Sequence, residues 1–283
     1  MKTAPEQGIV TSADGTAIGW SRVGRQGPAL VLVHGGMEAA ESHRQLAEAL
    51  AGDFTVYLYD RRGRGASGPF GADHCLRTEV EDLAAVLGLS GARHVFGLSS
   101  GAIICLQAGL DLPAISKMAL YEPPLSIDGS FPVDWVADFD REIAAGRPVD
   151  ALVLATKATE QFGHRLPRPV LKVMARLMLG DMVELVPTFR HDARIVVELL
   201  SRWRRYADVR ADVLLMGGGR SPAFLKTTLD ALEEIVPSVR RVEFARLNHG
   251  GSGNRSRGGD PRLVAAAMRD FYGTSVSSDD LHR

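Results

Sequence analysis

The chain has 283 residues, 45% hydrophobic and 24% charged, and its 33 Lys and Arg stand against 34 Asp and Glu for a formal charge of -1. That balance fits a globular protein of one large α/β domain or two small ones, and it excludes collagen-like and disordered chains. Without net positive charge the chain has no global attraction for a phosphate backbone, so nucleic acid is not an expected partner.

The cations are 28 Arg and only 5 Lys, a skew read here as the mark of a GC-rich coding genome rather than of binding. Cys75 and Cys105 are too few for a disulfide framework or a four-ligand metal site. Residues 1–7 lack the apolar stretch of a signal peptide, and no apolar run approaches the ~18 residues that cross a bilayer. The expectation is a cytoplasmic protein with no membrane partner. No period of repeat-protein length recurs.

Residues 8–23 read as two short strands around Asp14-Gly15, a hairpin signal. The run Ala29 to Val33 is unbroken and apolar, as in a strand covered on both faces. Residues 41–51 have helical spacing, and Thr55 to Asp60 is a further strand leading into the Gly-rich loop Arg61-Arg62-Gly63-Arg64-Gly65. A helix is expected over 77–89, a strand over 93–98, a helix from Ala102 to Leu110 and a strand from Lys117 to Tyr121. This alternation with short links predicts a mostly parallel, doubly wound sheet.

The rhythm breaks over 126–207, where amphipathic segments replace strands. It returns with a strand at Asp212 to Met216, a helix over 223–236, a strand at Arg240 to Ala245 and a helix at Arg262 to Tyr272. The expected organisation is a core of residues 1–125 and 208–273, a helical cap of residues 126–207 inserted after the sixth strand, and a disordered tail over 274–283.

The strongest local signal is Gly97-Leu98-Ser99-Ser100-Gly101, a G-x-S-x-G between an expected strand and an expected helix. A nucleophile on so sharp a turn takes strained backbone angles, so its neighbours two residues away must be small. The N–H after it lies at a helix N-terminus, which favours negative charge. The alternative is a Gly/Ser turn without catalytic meaning.

The second signal is Val33-His34-Gly35-Gly36-Met37, whose glycines let a backbone N–H approach a developing oxyanion. His34 itself reads as a residue that pins the loop. The third signal is Leu247-Asn248-His249-Gly250-Gly251 after the last strand. His74, His94, His164, His191 and His282 have no comparable setting and read as surface or packing residues.

HGGM at 34–37, YDRRGRGASG at 59–68, GLSSG at 97–101 and LNHGG at 247–251 come in the order and spacing of the α/β-hydrolase superfamily. The chain resembles its capped, serine-nucleophile members over nearly its whole length. The resemblance implies an α/β-hydrolase fold with Ser99 as nucleophile and His249 as general base. It also implies an oxyanion hole from the N–H groups of Gly36 and Ser100, with Met37 as the alternative donor.

Members usually carry the triad acid, an Asp, after the penultimate strand. Here that loop reads Gly217-Gly218-Gly219-Arg220-Ser221-Pro222, without a carboxylate. A subset places the acid at the end of the strand after the nucleophile helix, where this chain has Glu122. Glu122 is therefore the expected partner of His249, the alternative being a polar strand end before the cap.

Weaker features take structural readings. The Gly217–Ser221 stretch lacks the Gly-Lys-Ser/Thr ending of a phosphate loop and reads as a tight turn. Residues 202–206, Arg-Trp-Arg-Arg-Tyr, read as a solvated cap face, Met174, Met178 and Met182 as cap core or a flexible apolar pocket, and Cys105 as buried and inert.

The leading functional expectation is a serine hydrolase acting on an ester, thioester, lactone or related carbonyl bond of a small apolar molecule, without metal or organic cofactor. A C–C hydrolase or a non-hydrolytic lyase or cyclase of a natural-product pathway on the same fold is the second. A ligand receptor is the third, and the joint presence of Ser99, His249 and the Gly36 loop weighs against it.

Overall fold

The computed structural model describes residues 6–160, 163–178 and 180–273. Residues 1–5 and the expected disordered tail 274–283 lie outside them. Eight strands form one sheet in the order β1-β2-β4-β3-β5-β6-β7-β8. In chain order they are β1 (Glu6–Thr11), β2 (Ala17–Val23), β3 (Ala29–Val33), β4 (Thr55–Tyr59), β5 (His94–Leu98), β6 (Lys117–Tyr121), β7 (Asp212–Gly218) and β8 (Val239–Phe244).

β1 pairs antiparallel with β2, and β2 with β4; every pairing from β4 through β8 is parallel. The Asp14-Gly15 turn joins β1 to β2, with Gly15 at φ +87°, a conformation glycine adopts without steric cost.

Alternation along each buried strand sends side chains to two cores. On one face Val31 and Val33 pack with Leu83 and Val86 of α2 (Leu76–Ser90), Ile103 and Ile104 of α3 (Ser100–Asp111) and Leu225 of α8 (Ala223–Ile235). On the other, Leu30 and Leu32 pack with Leu46 and Leu50 of α1 (Arg44–Leu50) and with Val264 and Met268 of α9 (Pro261–Gly273). Covering both faces explains the unbroken apolar runs. The helix expected over 41–51 begins as a 3-10 turn at Ala40–His43 and becomes α-helical only from Arg44. The other boundaries differ by a residue or two, as fraying ends do.

Between β6 and β7 the described residues hold no strand. Helices α4 (Trp135–Ala144), α5 (Pro148–Ala158), α6 (Arg168–Met178) and α7 (Phe189–Glu198) occupy this stretch with short 3-10 segments. One expectation here is overturned: Trp203 and Tyr206 are buried, and only the arginines around them face solvent. The Arg204 guanidinium stacks 4.3 Å from the Trp203 ring centroid, so the cation covers an aromatic anchor.

Candidate active site

The carboxyl ends of the parallel strands, where open α/β sheets gather their sites, hold the sequence-predicted residues. Ser99 follows β5 and caps α3 at φ 55° and ψ -125°. Helix packing demands its glycines. A Cβ at Gly97 would stand 2.5 Å from Gly101 O, and a Cβ at Gly101 would stand 2.4 Å from Val33 O. The strand-to-helix turn is thus too tight for any larger residue at either place.

Glu122 follows β6 directly. Its φ is 48°, a left-handed conformation uncommon outside glycine, and its side chain is buried. Glu122 Oε2 lies 2.7 Å from His249 Nδ1, and Gly218 N–H donates to Glu122 Oε1 at 2.6 Å. The loop without an acid therefore serves the carboxylate that arrives from the neighbouring strand. A Cβ at Gly217 would come within 3.2 Å of Glu122 Oε1.

Tyr121, one residue earlier, donates its hydroxyl to Asn248 O at 2.9 Å, so the same strand end holds both the ring and the backbone of the His249 loop. Ser221, the other polar side chain near the usual acid position, makes no hydrogen bond among the described residues. With Nδ1–H facing a carboxylate, the neutral ring carries its free lone pair on Nε2.

Ser99, Ser100, Gly36, Met37 and His249 line one cavity of about 240 Å³. Phe131, Trp135, Leu152 and Phe189 from the inserted segment and Phe224 from α8 form its apolar wall. Trp135 stacks on Phe189 at 5.9 Å, and Phe131 on Phe224 at 4.5 Å. Met174 is not part of that wall, and the side chains of Met178 and Met182 lie outside the described residues. His34 is buried beneath the cavity, bonded to Gly35 O at 2.9 Å through Nδ1 and accepting Arg61 N–H at 3.1 Å through Nε2. Burial, with Arg64 and Arg61 nearby, holds its imidazole well below the ordinary value, so the ring stays neutral with its one proton on Nδ1 and pins loops. Cys105 is buried, and burial pushes its thiol well up.

A buried ion network under this floor escapes sequence reading. Arg61 forks onto Glu79 with bonds of 3.0 and 2.6 Å and donates to Asp192 at 2.7 Å. Arg64 donates to Asp192 at 2.5 Å, and Ser100 Oγ donates to it at 2.7 Å. Burial opposes ionisation of Asp192, but the Arg64 and Arg61 guanidiniums and the Ser100 hydroxyl outweigh it and hold the carboxyl below its ordinary value. A second network ties Arg62 to Asp82 and Asp14. Three arginines clustered in a Gly-rich loop are the only trace of this in the sequence; Asp192, on α7, has none. Among the described residues no group of three or more His, Cys, Asp or Glu side chains is placed to hold a metal ion. No described helix is long and apolar enough to cross a membrane.

A mostly parallel sheet with a strained serine between β5 and α3, and a histidine–carboxylate pair beside it, defines the α/β-hydrolase class. A sequence model of the alpha/beta hydrolase family matches residues 30–267, and the chain belongs to that family.

N-formylmaleamate deformylase of Pseudomonas putida is 34% identical over 166 residues, covering 54% of this chain and 61% of that protein. An uncharacterized hydrolase of Bacillus subtilis, YraK, is 38% identical over 104 residues, covering 35% of this chain and 38% of that protein. The matched stretches thus span less than two thirds of these curated relatives. Among solved structures, an alpha/beta hydrolase from Sphaerobacter thermophilus is 32% identical with a TM-score of 0.79, covering 94% of this chain and all of that one. The esterase RhEst1 from a Rhodococcus species shares the fold at 19% identity and a TM-score of 0.67, covering 95% of this chain and 98% of that one.

Proposed function

We propose that the protein is a serine hydrolase that cleaves an ester, thioester, lactone or related carbonyl bond of a small, largely apolar molecule. The observation that carries this reading is the 2.7 Å contact of Glu122 with His249, which lines one cavity together with Ser99. Ser99 Oγ attacks the carbonyl carbon while His249 Nε2 takes its proton. The tetrahedral oxyanion accepts hydrogen bonds from the N–H groups of Gly36 and Ser100, Met37 N–H being the alternative donor. His249 returns the proton to the leaving group, and water then repeats the sequence on the acyl-enzyme. Glu122 stays ionised throughout, fixes the ring and stabilises the imidazolium. Each oxyanion donor of such a hole is worth ~10²–10³ in kcat.

In this reading the helices between β6 and β7 act as a cap, which the presence of Trp135, Leu152 and Phe189 in the lining of the Ser99 cavity supports. The names of similar proteins include a deformylase and an esterase, so both formyl amides and esters belong on the test panel. A series of p-nitrophenyl esters of increasing acyl length, with simple formyl amides beside it, tests the reading. Turnover is expected for acyl groups that fit the cavity, and Ser99→Ala is expected to lower it by ~10³ or more. An unchanged rate in Ser99→Ala would exclude the acyl-enzyme route.

A further inference from the structure

The buried network places one carboxylate of the inserted helices directly against the nucleophile turn. Asp192 lies on α7, 93 positions beyond Ser99 in the chain, yet its Oδ1 accepts both the Ser100 hydroxyl and the Arg61 guanidinium at 2.7 Å. Its Oδ2 accepts Arg64 at 2.5 Å, and Arg64 also donates to Thr188 just before α7 at 3.2 Å. The same helix also rests on Gly36. A Cβ there would meet the Phe189 ring at 2.8 Å and Asp192 Cγ at 3.2 Å. One turn of α7 therefore touches both residues whose N–H groups serve the oxyanion in the reading above, and this inference rests on that reading.

We propose that Asp192 is a positioning residue: it docks α7 on the Ser99 turn and so sets the N–H groups of Ser100 and Gly36 in their working places. An anionic side chain beside an oxyanion hole would ordinarily oppose the reaction. Here its oxygens are directed at two guanidiniums and a hydroxyl, and the cluster Arg61, Arg64, Glu79 and Asp192 is neutral as a whole. Neutrality and donor geometry therefore depend on the same carboxylate. The cavity's specificity wall and its catalytic floor become one unit, because Phe189 lies on the wall and Asp192 three residues later lies in the floor.

The test uses Asp192→Asn and Ser100→Ala in the whole protein. Three quantities are read: kcat per active site titrated with a fluorophosphonate, KM for the best ester of the panel, and inhibition by an aliphatic trifluoromethyl ketone, which forms a tetrahedral oxyanion on serine. Outright removal of an oxyanion donor costs ~10²–10³, so a displaced pair in Asp192→Asn is expected to cost about 10- to 100-fold in kcat per titrated site. KM is expected to stay within about 3-fold while ketone affinity falls in parallel with kcat.

A merely structural role would lower the number of titrated sites and leave kcat per site and ketone affinity unchanged, and that result overturns the proposal. A change confined to KM also overturns it. Should Asp192→Asn fail to fold, Ser100→Ala decides, because it keeps all four charges and removes only the hydroxyl bridge. A fall of about 3-fold or more in kcat per site with weaker ketone binding supports the proposal, and unchanged values overturn it. Full activity in Ser99→Ala would instead remove the serine-hydrolase reading itself.

Discussion

Glu122 and His249 stand 127 positions apart in the chain, and a carboxylate oxygen of the first lies 2.7 Å from Nδ1 of the second. The contact rests on two local features. Glu122 takes a positive φ that turns its side chain back over the sheet edge, and the next strand ends in glycines that leave room for it. Gly218 N–H then supplies a fixed donor to the other carboxylate oxygen. Carboxylate, N–H donor and imidazole are thus held by three neighbouring strand ends.

Replacing the acid tests this arrangement. Glu122→Gln is nearly isosteric, so the fold is expected to persist with unchanged circular dichroism. Its kcat is expected to fall by a large factor, up to ~10⁴ by comparison with loss of a triad acid. Steady-state kinetics on the best ester checks it, and a fall of less than tenfold would mean that His249 is oriented by other groups.

The buried Arg61 gives a stability prediction. Arg61→Met leaves Glu79 without its guanidinium and Asp192 with one fewer, and uncompensated buried charge of this kind costs about 3–5 kcal/mol. Urea unfolding of the single variant, of Glu79→Leu and of the double variant forms a cycle. The double variant is expected to be more stable than the sum of the single losses, because the two groups are in direct contact. Additive losses would argue that the 2.6 Å pair contributes nothing of its own.

Much of this was legible in the sequence, and the rest was hidden for a physical reason. The parallel strands announce themselves as short apolar runs because both faces are covered, and G-x-S-x-G announces the turn at Ser99 because only glycine fits at 97 and 101. Glu122 was accessible through the family resemblance, which puts the acid either in the loop at 217–222, where this chain has no carboxylate, or at the end of the strand after the nucleophile helix. Asp192 was not accessible. It sits in a helix whose charges otherwise face water, and only tertiary docking turns it toward Arg61 and Arg64. The same holds for residues 202–206, where flanking arginines give a polar local composition while Trp203 and Tyr206 point inward.

The aromatic wall sets a specificity prediction. Trp135→Ala removes an indole stacked on Phe189 and enlarges the cavity. Preference is expected to move toward longer acyl chains, with a shift of about 10-fold or more in the ratio of kcat/KM values for long and short esters, the range expected for altered hydrophobic pocket contacts. An unchanged chain-length profile would place the specificity elsewhere.

Four histidines with lowered imidazoles, His34, His43, His94 and His191, contribute to the response to acid. Burial lowers the imidazoles of His34, His43 and His94, and burial with His74 and Arg194 nearby brings His191 down to about 4. In the unfolded chain these rings titrate near ~6.5, so between about pH 6.5 and 4 the unfolded state binds more protons and stability falls as pH falls. Thermal unfolding at about pH 5 is expected at a lower Tm than at about pH 7, by roughly 2–4 °C for each kcal/mol lost. His191→Gln is expected to narrow the gap. A Tm that rises on acidification would contradict the burial of these rings.

The central claim is that Ser99 forms the covalent intermediate, and labelling with a fluorophosphonate followed by peptide mass spectrometry tests it most directly. The account predicts one phosphonyl group on the peptide that contains Ser99, with hydrolysis lost in step with labelling, and no label on the Ser99→Ala protein. Labelling of Ser100 or another residue in its place, or an enzyme that keeps full activity while Ser99 is fully modified, would contradict it.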